Sequence, residues 1–157
     1  NTTKAARDLV PDLKAQGFAV TEQGPDPAAP AGQDVWLAGL QRSSSTGGGQ
    51  AQVRLYRLSD AAAARTSFQT FATALKNPPP GFFGQGSASQ VDNPSPPVGD
   101  QQKGYVTAKA DARGNLLWTD VFRFGNVVAI VQLVEAGSSD QMPLRRSIAE
   151  GIVAKMR

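Results

Sequence analysis

Residues 116–135, LLWTDVFRFGNVVAIVQLVE, constrain this chain more than any other stretch, because two runs of strand-forming residues flank the dipeptide Gly125-Asn126. β-Branched and aromatic side chains suit a pleated surface. Gly at the first central position fits a type II′ two-residue turn, so the segment predicts a β-hairpin at the centre of a sheet. With a turn of two residues Phe124 faces Val127, and period-two alternation then sorts every side chain. One face receives Leu116, Trp118, Phe122, Phe124, Val127, Ala129, Val131 and Leu133, with Asp120 among them. The other receives Leu117, Thr119, Val121, Arg123, Val128, Ile130, Gln132 and Val134. The first face is the more apolar and is expected to lie under helices; the second is mixed and is expected to be partly solvated or to line a shallow groove.

The flanking sequence supplies further elements. Asp34 to Arg42 and Ala51 to Leu58 read as a second hairpin, with Phe18 to Gln23 and Gly104 to Ala110 as additional strands. Between the arms of the second hairpin lies the polar stretch from Ser43 to Gln50. Its glycines resemble a phosphate loop, but the lysine and following helix are missing, so it reads as a hairpin tip. Ser59 or Asp60 caps a helix running to about Lys76, with Ala61, Ala64, Phe68, Phe71, Ala72 and Leu75 at helical spacing, and the prolines after Asn77 stop it. Near the N-terminus, Thr2 or Thr3 begins a short amphipathic helix with Ala6, Leu9, Val10 and Leu13 on one face, ending at Gly17, although Pro11 lies inside the pattern. A terminal helix carries Leu144, Ile148, Ala149, Ile152, Val153 and Met156. Ser138, Ser139 and Asp140 are its cap candidates, Pro143 falls in its first turn, and Gly151 weakens it.

Hairpin then helix occurs at Asp34 to Lys76 and again at Leu116 to Arg157. That order predicts one α+β domain spanning residues 1–157: a two-layer structure with an antiparallel sheet of about five to six strands and helices on one face, built as a hairpin-helix pseudo-repeat. The Pro/Gly/Ser-rich stretch from Asn77 to Asp100 is long for a loop in a compact domain, and such loops are often functional.

Composition matters chiefly for what it excludes. With no His and no Cys, serine and cysteine triads are impossible, as are zinc sites built on imidazole or thiolate. No loop has calcium-binding spacing, and no cofactor is expected. A formal net charge of +3 is too small an excess to argue for nucleic acid. Arg42, Arg54 and Arg57 near Trp36 and Tyr56 form a basic-aromatic set without the spacing of a sheet-based RNA binder. Asp120 stands out because its register buries it between Trp118 and Phe122, where its pKa should rise; a structural role, near a sheet edge or paired with an arginine, is the simpler expectation, and a carboxylate-dependent hydrolase the alternative. Arg145-Arg146 is expected on a solvated helical face or against an acidic partner. No apolar run approaches the ~20 residues that span a bilayer. Because the chain begins at Asn1, a signal peptide, lipid anchor or transmembrane segment is expected upstream.

The segments YRLSDAAAARTSFQTFATAL and VFRFGNVVAIVQL, with Arg123, Asn126, Val127 and Val128 in the second, resemble exported bacterial lipoproteins and the extracytoplasmic sensor domains of membrane-anchored kinases. The resemblance implies an exported, non-catalytic binding or interaction domain. The expected function is therefore recognition of a small apolar ligand or a protein partner outside the cytoplasm, with any membrane tie made through the missing N-terminus. An intracellular assembly or nucleic-acid accessory domain is a further alternative. If there is a pocket, it is expected between the sheet and the 77–100 loop, near Trp36, Phe82, Phe83, Trp118 and Asp120.

Overall fold

The hairpin over residues 116–135 forms the middle of the sheet in the computed structural model, which describes residues 1–42, 49–77, 90–109, 114–136 and 141–157. Strands β6 (Asn115–Phe124) and β7 (Val127–Ala136) pair antiparallel with Phe124 opposite Val127, the register that the turn dictates. Gly125 takes φ 58° while Asn126 does not enter positive φ, which matches a turn that needs a left-handed residue only at its first central position.

Around this hairpin the described residues add β1 (Phe18–Pro25), β2 (Asp34–Arg42), β3 (Gly49–Arg57), β4 (Gln90–Asp92) and β5 (Gln101–Thr107). All seven strands join one antiparallel sheet in the order β1-β2-β3-β7-β6-β5-β4. This exceeds the expected five to six. The additional strand is β4, three residues inside the stretch read as an unbroken loop, and too short for alternation to reveal.

The helices correct the expected layering. Helix α1 (Ala61–Ala74) starts at Asp60, whose carboxylate accepts from the Ala63 N–H at 2.8 Å, and buries Ala64 and Phe68 against Val121, Val128 and Ile130. Helix α2 (Met142–Met156) buries Leu144, Ile148, Ala149 and Ile152 against the opposite face, where Leu40, Val53, Leu55, Trp118 and Phe122 form the larger core. Helices therefore cover both faces rather than one. The side chains that alternation assigned to the mixed face explain why: Val121, Val128 and Ile130 are buried there and need a cover of their own. Each such aliphatic side chain contributes about 1.5–3 kcal/mol when withdrawn from water. The hairpin-helix echo survives as an order of elements. A twofold axis relating β3 to antiparallel β7 would leave both helices on one face, so the halves are not copies of each other.

At the N-terminus the predicted helix is replaced by two short 3₁₀ turns, Ala6–Leu9 and Lys14–Gln16. Pro11 has no N–H to continue a helix and forces the preceding Val10 into an extended conformation, φ −61° and ψ 123°. Leu9 and Leu13 still reach the core, and Gly17 closes the second turn at φ 85°. Gly151, expected only to weaken α2, permits a close approach: a Cβ there would lie 2.8 Å from the Cβ of Pro11. The cap candidates Ser138, Ser139 and Asp140 and most of the Ser43–Gln50 loop lie outside the described residues. Among the described residues, no helix is long and apolar enough to cross a membrane.

Candidate functional site

Asp120 is 1% exposed, and its partner is Arg145 at 0%. The guanidinium grips the carboxylate with two donors, Nε to Oδ2 at 2.7 Å and Nη2 to Oδ1 at 2.6 Å, while the Ser95 hydroxyl donates to Oδ1 at 2.9 Å. Arg145 also donates to Asn93 Oδ1 at 2.7 Å and to the Pro94 carbonyl at 3.0 Å, so strand β6, helix α2 and the segment after β4 meet at one charge pair. Gly104 makes room for it, because a Cβ there would lie 2.4 Å from the Asn93 carbonyl oxygen and 2.9 Å from Asp120 Oδ1. Burial pushes the Asp120 carboxyl above its ordinary range, opposed by the bonds from Arg145 and Ser95. The arrangement is a joint between elements, the structural role expected of this acid, and it corrects the placement of Arg145 on a solvated face. No three acids converge as metal ligands among the described residues.

The two tryptophans expected to line an apolar pocket are not brought together. Trp118 is 3% exposed and belongs to the core beneath α2. Trp36 is half-buried on the same face, its indole N–H donating to Gln23 Oε1 at 3.1 Å. Trp36 shares a row with Leu55, Ala129 and Phe122, whereas Trp118 lies four residues along β6 from that row and three strands from β2. Strand spacing then separates them by about 14 Å across the sheet and about 13 Å along it. Phe82 and Phe83 lie outside the described residues. The basic-aromatic set is divided as well: Arg42 and Arg57 point to one face, Arg54 and Tyr56 to the other. Each arginine meets a carboxylate, Arg42 with Glu135 at 3.0 Å, Arg54 with Asp26 at 3.1 Å and Arg57 with Asp34 at 2.7 Å.

What the fold does form is a cleft of about 280 Å³ where β2 begins and β3 ends, lined by Gly32, Gln33, Asp34, Val35, Tyr56, Arg57, Leu58 and Ser59. Strand pairing creates it. Asp34 stands opposite Arg57 and Val35 opposite Tyr56, at the point where the chain leaves β3 for the cap of α1. Tyr56 is fixed by Phe71 of α1, with ring centroids 4.7 Å apart, and burial pushes its phenol above the ordinary range. The ion pair is incompletely used. Arg57 donates through Nε to Asp34 Oδ2, and the same oxygen accepts from the Ala6 N–H at 3.0 Å. Both side chains remain about a third exposed, so the cleft presents charged hydrogen-bonding groups beside the apolar edges of Val35 and Leu58. Sequence reading missed this site because its residues belong to two strand ends whose pairing is not fixed by a short turn signal of the kind Gly125-Asn126 provides. The opposed charges at Asp34 and Arg57 were the available signal.

No protein-family model matches the sequence, and a comparison with curated proteins finds no match. In fold, the chain is similar to the extracellular domain of PknH from Mycobacterium tuberculosis, known from its crystal structure. The TM-score is 0.63 at 14% sequence identity, over 99% of this chain and 97% of that one. At that identity the likeness is one of fold.

Proposed function

We propose that this chain is a non-catalytic extracytoplasmic recognition domain, and that its binding locus is the cleft between the β2–β3 ends and the start of α1. The observation that carries the reading is the fold shared with an extracellular domain over essentially the full length of both chains. The state of the acids supports it: the fully buried carboxylate of Asp120 is held by two donors of Arg145 and is out of a substrate's reach. The cleft leaves polar groups to bind through, which favours a small polar ligand, or a polar group of a protein partner, over the apolar ligand expected from the tryptophans.

The test is a titration of the isotopically labelled protein with a panel of polar and apolar metabolites, read by amide chemical shifts, alongside mass spectrometry of compounds released on purification. Shifts concentrated at residues 32–35 and 56–59 are the expected result. Shifts confined to residues around Trp36 and Trp118 would move the site out of the cleft and toward the tryptophans, and turnover of any panel compound would overturn the non-catalytic reading.

A further inference from the structure

The walls of the cleft are also the anchors of the N-terminal segment, at two separate points. Asp34 Oδ2 receives both Arg57 Nε, at 2.7 Å, and the backbone N–H of Ala6, at 3.0 Å. On the opposite wall, the Leu58 N–H donates to the carbonyl of Asn126 at 2.8 Å, and Asn126 Nδ2 returns a bond to the Leu58 carbonyl at 3.2 Å. The same carboxamide holds Thr2 like a complementary peptide: it accepts from the Thr2 N–H at 2.8 Å and donates to the Thr2 carbonyl at 3.0 Å. Asn126 is 4% exposed and Thr2 7%, so these bonds are shielded from competing water. Asn1 completes the contact by lying against the Gly125 turn, where a Cβ would be 3.0 Å from its Oδ1.

We infer that the cleft and the N-terminal segment are coupled, with Asp34 as the relay: a ligand whose carboxylate or phosphate oxygens draw Arg57 away from Asp34 loosens the segment at Ala6. The identity of the cleft as a binding locus rests on the function proposed above; the coupling itself rests on the contacts alone. The physical argument concerns what holds Asp34 in place. A single N–H on a carboxylate contributes about 1.5–3 kcal/mol when the acceptor is held in place, and fixing a third-exposed side chain costs part of that in rotamer entropy, so the Ala6 bond is strengthened by the arginine that fixes the carboxylate. An anion on Arg57 both removes that support and repels Asp34. Among the described residues, the hydrogen bond and ion pair of Arg57 are made with Asp34, the same carboxylate that accepts from Ala6, so the response at Ala6 to its loss is expected through Asp34.

The test needs no ligand. Amide hydrogen exchange is measured residue by residue in the unaltered protein and in Arg57→Met, Arg57→Lys and Asp34→Ala, with the amides of β7 and α2 as internal controls of folding. The coupling predicts that Arg57→Met and Asp34→Ala each raise exchange at Ala6 by about fivefold to tenfold, with the controls unmoved. Arg57→Lys, which keeps the charge but not the Nε geometry, should fall between. If Asp34→Ala raises exchange at Ala6 while both arginine variants leave it unchanged, Asp34 anchors the segment independently of the cleft and the relay is overturned. No response to any variant overturns it as well. Failure of the ligand titration with a positive exchange result would remove the binding reading and leave the coupling.

Discussion

Two Asp–Arg pairs in this protein have the same chemistry and opposite surroundings. Asp120 and Arg145 are withdrawn from water, at 1% and 0% side-chain exposure, whereas Asp34 and Arg57 keep 30% and 35%. In the interior both charges lose hydration, and only the dense bonding from Arg145, Ser95, Asn93 and Pro94 makes that tolerable. At the cleft, the partial exposure of both side chains lets solvent screen the interaction, so separating the pair costs less than at the joint. Burial thus turns one pair into a fixed joint, and exposure leaves the other responsive. A chain can carry several arginine–carboxylate contacts of which only the half-solvated ones are candidates for recognition.

The comparison breaks most easily at the joint. Arg145→Met leaves Asp120 buried without its counter-charge and is expected to lower the unfolding free energy by about 3–5 kcal/mol, whereas Arg57→Met should cost less than about 1 kcal/mol. Urea denaturation of both variants decides the matter. Equal losses would mean that exposure does not separate the two pairs. A second substitution sharpens the reading of the joint. Gly104→Ala places a methyl group 2.4 Å from the Asn93 carbonyl oxygen and 3.0 Å from Arg145 Nη2, so backbone must shift, at an expected cost of about 1–3 kcal/mol. In the double variant with Arg145→Met the two losses should add to less than their sum, because both act on the same contacts. Strict additivity would detach Gly104 from the joint.

How much of this was legible in the sequence depends on the range of the interactions. The central hairpin, its register and its two faces followed from residues 116–135, because a two-residue turn fixes pairing locally. The Asp60 cap was legible for the same reason. Arg145 was within reach but passed over: it stands three, four and seven residues before Ile148, Ala149 and Ile152, so helical spacing puts it on the apolar stripe of α2. A cation on one buried face and Asp120 on another predict each other. The Asn93–Ser95 contacts were not legible, since these residues meet Asp120 and Arg145 across 25 to 52 positions, with no periodicity to announce it. Covering both faces was a matter of counting: the mixed face holds too many aliphatic side chains to be left to water.

A third pair, Arg42 with Glu135, lies between the extremes at 19% and 9% side-chain exposure, and it gives the finest test. The contact is 3.0 Å between Nη1 and Oε1, yet Oε1 accepts no aligned hydrogen bond, and Gly49 presses its backbone so near that a Cβ would lie 2.4 Å away. Burial accordingly pushes the Glu135 carboxyl above its ordinary value of 4.5, and Arg42 only partly offsets this. A carboxyl with a raised folded pKa binds its proton more tightly in the native than in the unfolded chain. Its contribution to stability is therefore most favourable below the ordinary value, falls as pH rises through the folded pKa, and is constant above it. Glu135→Gln removes that dependence. The difference in unfolding free energy, variant minus unaltered protein, should grow in favour of glutamine as pH is raised from 4 upward, by less than either effect above. Asp120 shifts in the same direction but is present in both proteins, so it cancels. Urea denaturation across that range reads the sign directly: a difference that moves against glutamine would mean that Arg42 outweighs burial, and the Arg42–Glu135 pair would then behave as the solvated pair does rather than as an intermediate.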